Sequence, residues 1–241
     1  MRIIAKSLIA VAMLATAAPA LAQEMIVTAS RRSANDYNNS GYVNGVIAAQ
    51  RSIINLKRTA DYVVQPVRLT GDTRDAIARM NDINTTLHNM IDGAGKGGVE
   101  LATGDYLVEP LTLANYRRLT YVGDGRPDTS TTTFLVKVKL APGMDIAAAK
   151  AQIERFVGSV AKVGRSTLVT VGEPTLSVVN PDQYRGQIAD LIAADAAVMK
   201  AKFGPDYGVD VTGLDRPVEW ARAGPTEVFL YLPSTYTVTR R

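Results

Sequence analysis

The chain has 241 residues, with 27 Lys and Arg against 23 Asp and Glu, no cysteine and a single histidine. That composition excludes disulfide stapling, thiolate catalysis, cysteine-ligated zinc, iron–sulfur clusters and a multi-histidine metal centre within one chain. The net charge of +4 is not gathered into a Lys/Arg face with interleaved aromatics, so nucleic acid is not an expected partner.

Residues 1–22 read as a secretory signal peptide. Arg2 and Lys6 give a basic start, Leu8 to Ala17 is almost unbroken apolar sequence, Pro19 breaks it, and Ala20 and Ala22 supply the small positions for cleavage before Gln23. The apolar run is too short for a membrane anchor, and no later run is long enough to cross a bilayer as a helix. The mature chain is therefore expected in the periplasm or secreted, without a transmembrane segment. Without cysteine, its stability must come from a packed core.

Residues 24–32 (Glu-Met-Ile-Val-Thr-Ala-Ser-Arg-Arg) begin with a short β-prone stretch. The segment resembles the TonB box at the mature start of TonB-dependent outer-membrane receptors, which pairs in extended form with a partner strand. The alternative is an ordinary first strand of the domain, and that is the favoured expectation. Ser33 to Gly45 is rich in Asn, Ser, Gly and Tyr and reads as a linker. Residues 23–59 are thus expected as an extended segment and linker, and 60–241 as an α+β domain divisible into 60–141 and 142–241.

Within that domain, Ala60 to Leu69 is expected as a strand that Pro66 confines to an edge or a bulge. Ala76, Ile77, Met80, Ile83, Leu87, Met90 and Ile91 recur at helical spacing, and the glycines from Gly93 to Gly98 stop that helix. Val99 to Leu111 is a second strand region. Thr131 to Leu140 is strongly β-prone, with Phe134, Val136 and Val138 on one face. Asp145 caps a helix whose stripe is Ile146, Ala149, Ile153, Phe156, Val157 and Val160. Thr167 to Val179 is a strand region interrupted at Glu173-Pro174. Asn180-Pro181-Asp182 opens a third helix with Ile188, Leu191, Ile192, Met199 and Phe203 facing inward, and Gly204-Pro205-Asp206 ends it. Tyr207 to Thr212 and Glu227 to Thr239 close the chain as strands. This order predicts a mostly antiparallel sheet with helices on one face, built from split β-α-β units.

Several residues invite a chemical role. His88 is the one histidine, the residue type suited to acid–base work, but it falls at the edge of an apolar helical face, where a structural role is expected. The glycines around Lys96 follow a helix and precede a strand, the reverse of a phosphate loop. Gly123 to Asp128 is oxygen-rich but lacks the spaced ligands of a calcium loop. Asp206, Asp210, Asp215 and Glu219 alternate with apolar residues and read as solvent-facing. Ser166 and Ser177 have no nucleophile-elbow context. Trp220, Phe229, Tyr231 and Tyr236 are divided between core and surface by strand parity, with Phe229 and Tyr231 on one face and Tyr236 on the other. The sequence therefore names no catalytic, cofactor-binding or metal-ligating residue, and no cofactor is expected.

In order and spacing the chain resembles the SIMPL-domain family of exported bacterial proteins. Lys57-Arg58-Thr59-Ala60-Asp61-Tyr62-Val63-Val64 sits where that family enters its first long strand. Gly98-Val99-Glu100-Leu101 leads into strand material, Thr131 to Leu140 matches the central strand, Asn180-Pro181-Asp182 opens the third helix, and Val228 to Val238 matches the terminal strand. The helix after Asn180 is less basic than the family's, and Phe203 to Val209 is distinctive to this chain. The resemblance implies an envelope protein, linked loosely to oxidative-stress defence and acting through protein contacts or self-association, and it carries no active site over. The alternatives are a TonB-linked accessory or receptor-like protein and a small periplasmic enzyme with a carboxylate site at Asp206 to Glu219.

Overall fold

The structure, a computed structural model, describes residues 24–27, 54–104, 107–123 and 125–241. The signal-peptide reading of residues 1–22, the cleavage site before Gln23, the Ser33–Gly45 linker and residues 28–32 of the TonB-box-like segment lie outside them.

Strands β1 (Glu24–Val27), β2 (Leu56–Thr59) and β3 (Tyr62–Gly71) precede helix α1 (Ala76–Ala94). Strands β4 (Glu100–Thr103) and β5 (Leu107–Pro110) form a hairpin, followed by β6 (Ser130–Lys139), α2 (Ile146–Ser159), β7 (Ser166–Thr170) and β8 (Thr175–Val179). A 3-10 turn at Pro181–Tyr184 leads into α3 (Arg185–Phe203), and β9 (Tyr207–Thr212), β10 (Glu219–Arg222), β11 (Glu227–Tyr231) and β12 (Thr235–Arg240) complete the chain.

The expected α+β architecture is present, but the main sheet does not stay open. Its antiparallel order runs β3, β6, β4, β5, β1, β8 and back to β3, a closed six-strand barrel. Closure removes free sheet edges. It takes place at one end only, where Tyr62–Val64 of β3 meets β8. At the other end Val67–Gly71 of β3 pairs instead with β7.

This split corrects the expectation for Pro66. β3 is a central strand, paired to β6 along all ten residues and to β8 and then β7 on its other edge. Proline is tolerated because Gln65 and Pro66 fall between those two partners, and there the Pro66 backbone only accepts, from the Val171 amide at 2.8 Å. The buried Gln65 amide fills that gap by donating to the Val171 and Gly172 carbonyls at 2.8 and 3.1 Å. One side chain thereby fastens the β7–β8 turn to the strand it straddles.

Alternation along β3 sorts the packing. Val63, Val67 and Leu69 face outward, against α1 and α2, where Ile83, Leu87, Met90, Ile153 and Phe156 complete one continuous core. Tyr62 and Val64 face into the barrel with Ala102, Val108 and Leu135. The α1 and α2 caps are Asp75 and Asp145, whose carboxylates accept from the Ala78 and Ala148 amides at 2.8 and 2.7 Å. Gly97 lies where the end of α1 passes α2, and a Cβ there would come within 2.6 Å of the Phe156 ring.

Four expectations about facing residues and element bounds are corrected. Ile77 is 75% exposed because the cap at Asp75 places it on the first turn, beyond the edge of the sheet. In α3 only Ile188 and Ile192 are buried, and Leu191 and Phe203 point to solvent. That helix begins at Arg185, not at Asn180. Asn180 takes a left-handed φ of 46°, which breaks the chain direction before Pro181. The last expected strand is likewise two, β11 and β12, separated at Leu232–Ser234.

Strands β10, β11 and β2 form a second antiparallel sheet, and β12 with β9 a two-stranded ribbon. Trp220 and Leu230, opposite one another across β10 and β11, are buried with Val228 in the same continuous core as the barrel's outer face. The ribbon lies against α3, with the Tyr236 hydroxyl donating to the Ile192 carbonyl at 3.2 Å.

Candidate functional site

A connected set of polar side chains occupies the closed end of the barrel. Register puts them there. Lys137 of β6 lies between Val64 on β3 and Glu100 on β4, Ser177 of β8 lies opposite both Tyr62 and Ile26, and Glu24 of β1 lies between Val179 and Val108. All of these positions share the inward parity, since side chains alternate along every strand.

The Lys137 ammonium forms an ion pair with Glu24 Oε2 and reaches Glu100 Oε2 at 3.4 Å. Its Nζ also lies 4.1 Å from the centre of the Tyr62 ring, within cation–π range. The Tyr62 hydroxyl donates to Glu100 Oε1 at 2.9 Å, and the Ser177 hydroxyl donates to Glu24 Oε1 at 2.6 Å. The Lys137 and Glu24 side chains are 6% and 10% exposed, whereas Glu100 is 54% exposed, so the chain of contacts runs from a dry end at Ser177 to a wet one at Glu100.

A charge this deep is tolerated only when its donors and acceptors are met. Glu24 uses both oxygens and Lys137 has two carboxylates and a ring face. Chemically, the arrangement fastens β1 into the barrel. Both edges of β1 are occupied, by β5 and β8. Glu24–Val27 is therefore the first described strand of the domain, paired along its whole length to β8 and at Glu24 and Met25 to β5. The Ser177 hydroxyl, fully buried, donates to Glu24, whose carboxylate is itself paired with Lys137.

The residues weighed from sequence are dispersed. His88 is half-buried on α1, edge-on to Tyr116 with ring centroids 4.7 Å apart, and its Nε2 is buried without a hydrogen-bond partner. Loss of that edge-to-face contact sets the expected cost of His88→Gln at about 1 kcal/mol in a urea melt, with any activity changed less than a few-fold. A loss of activity at unchanged stability would overturn the structural role.

Asp206, Asp210 and Asp215 are exposed and Glu219 is half-buried at the start of β10. Asp210 accepts from the Thr239 hydroxyl across the ribbon at 3.2 Å. No group of three or more His, Asp or Glu side chains among the described residues is placed to hold a metal ion. Gly93 to Gly98 does end α1, and the described part of Gly123 to Asp128 is a surface turn. Among the four aromatics, Trp220 and Tyr231 are buried while Phe229 and Tyr236 are half-buried.

Two tyrosines are held neutral by their surroundings. Burial, then the Glu100 hydrogen bond and charge, with smaller contributions from Glu24 and Asp61, raise Tyr62 far above the usual tyrosine value. Burial, then the Asp195 carboxylate nearby, push Tyr236 up to about 12. A folded-state pKa above the unfolded value gives stability that is complete below about pH 10 and is lost as pH rises further. Phenolate absorbance should show these two among the last tyrosines to ionise, and stability should fall between about pH 10 and 12. The double variant Tyr62→Phe, Tyr236→Phe should flatten that fall, and an unchanged slope would refute the assignment.

No described protein family and no curated protein matches the chain. Two solved structures from Listeria innocua align loosely with it. A hydrolase is 10% identical over 75% of this chain and 91% of its own, with a TM-score of 0.16. An uncharacterized conserved protein is 11% identical over 75% and 92%, with a TM-score of 0.15.

Proposed function

We propose that the chain is an exported, SIMPL-like cell-envelope protein that works through contacts between protein surfaces rather than by catalysis. Its signal-peptide-like start supports export. The observation that carries the contact role is α3. Of its 19 residues only Ile188 and Ile192 are buried, yet Leu191 and Val198 are 42% and 51% exposed on its outer side, with alanines between them. A helix that is apolar on a solvent face marks an interaction surface.

The partner proposed for that face is a second copy of the chain. Asp190 lies in the first half of the helix and Lys200 and Lys202 in its last turn. Antiparallel pairing about a two-fold axis sets Lys200 of each helix toward Asp190 of the other, whereas parallel pairing opposes like residues.

Sedimentation of the mature protein tests this reading. Self-association at micromolar concentration, weakened at least tenfold by Leu191→Glu with Val198→Glu, is the expected result. A monomer at all concentrations would overturn it. The export half is tested separately by fractionation and N-terminal sequencing. The protein should be periplasmic and begin at Gln23, and an intact Met1 start in the cytoplasm would contradict it.

A further inference from the structure

We infer that the open end of the barrel is a binding site for a small amphipathic oxyanion, a carboxylate or phosphate group carried on a short apolar body. Where β3 and β6 run past the point of closure, their inward faces line two adjoining hollows of about 490 and 260 Å³ that share Val122, Thr131 and Thr133. The mouth of a barrel is a common location for a ligand pocket, and the larger hollow is in the usual size range.

The lining is selective in charge. Arg68 stands on β3 directly opposite Thr133, exposed, with no hydrogen-bond or ion-pair partner among the described residues. Two residues along, the Thr70 and Thr131 hydroxyls bond one another at 3.0 Å, which leaves a further donor or acceptor site on that pair. The Thr120 and Thr133 hydroxyls are unpartnered among the described residues. Arg118 lines the larger hollow, and among the described residues its carboxylate contact is Glu109 at 3.8 Å. No acidic side chain among the described residues lines either hollow.

An unpaired guanidinium with flanking hydroxyls presents the planar donor set that binds carboxylate and phosphate oxygens in a bidentate manner. A cation would meet only like charge there. Leu119, Val122 and Leu135 give the wall an apolar part beside Thr103 and Thr132, and Val122 is 58% exposed although it is bridged to Thr131. A ligand that is an oxyanion alone would leave this wall uncovered. The site stands apart from the closed-end ion pair and from α3, so it holds or fails independently of the contact role.

Isothermal titration of the mature protein with hexanoate, hexyl phosphate, inorganic phosphate and 1-hexanol tests the inference, at low and moderate salt. Hexanoate or hexyl phosphate, or both, should bind at least tenfold more tightly than 1-hexanol and than inorganic phosphate. The two hexyl arms report which oxyanion is preferred. Arg68→Gln should weaken that binding at least tenfold, Arg68→Lys less, and Thr133→Val several-fold, while exposed Lys162→Gln leaves it unchanged. Melting midpoints should be the same throughout, since Arg68 and Thr133 are exposed. Equal binding of 1-hexanol, equal binding of inorganic phosphate, binding that survives Arg68→Gln, or no binding by any arm up to ten millimolar would each overturn it.

Discussion

Replacing Glu24 by Ala should lower the unfolding free energy by about 3 kcal/mol or more, because it leaves the Lys137 ammonium buried and without its closest counter-charge. Glu100 remains at 3.4 Å but is half in water and shares its other oxygen with Tyr62, so it offsets the loss only in part. Lys137→Met should cost a similar amount by stranding Glu24. The double variant Glu24→Met, Lys137→Met should recover most of the loss, since a buried ion pair and an apolar pair of like volume are often equivalent. Urea unfolding followed by circular dichroism measures all three. A cost below about 1 kcal/mol for Glu24→Ala would show that β1 is not seated in the barrel.

The other large effect is expected at Trp220, the only tryptophan. Trp220→Ala should cost about 4 kcal/mol, because the indole is 1% exposed and packs opposite Leu230 in the sheet that joins the C-terminal strands to the barrel. Trp220→Phe keeps most of that packing and should cost less than half as much. A loss below about 1.5 kcal/mol in the alanine variant would mean that the second sheet contributes little to the common core.

Much of the fold is legible in the sequence because the outward face of the main sheet obeys simple alternation. Phe134, Val136 and Val138 are predicted on one face and are all buried there. The α2 stripe and its cap at Asp145 follow the helical period and the capping preference as expected. Barrel closure is not legible, because it depends on a four-residue strand pairing with segments far away in sequence. A hint does exist in β3, where Val63 and Val64 are both fully buried, as only a strand covered on two faces allows.

The polar cluster escaped sequence reasoning for the same reason. Lys137 and Glu100 occupy the positions that alternation assigns to solvent, and in an open sheet they would be there. Closure turns that face inward, and a lysine that reads as surface becomes 5% exposed. The error at α3 has the opposite cause. Its apolar residues surround the helix instead of forming a stripe, so periodicity could not tell Leu191 from Ile192.

The seating of β1 also sets a timetable. Glu24 bonds a serine 153 residues further along the chain. During synthesis the strand emerges early, and one of the two edges that receive it emerges only after most of the polypeptide has been made. Its closing contacts are among the most non-local in the molecule, the kind that form slowly because loop-closure entropy must be met first. Until β8 arrives, one edge of β1 and the Tyr62–Val64 stretch of β3 lack their partner strand, exposed to mispairing with other chains. The growing chain therefore passes through a stage in which its hairpins and α1 can form while the barrel stands open. Closure of the barrel joins the earliest described strand to one made much later.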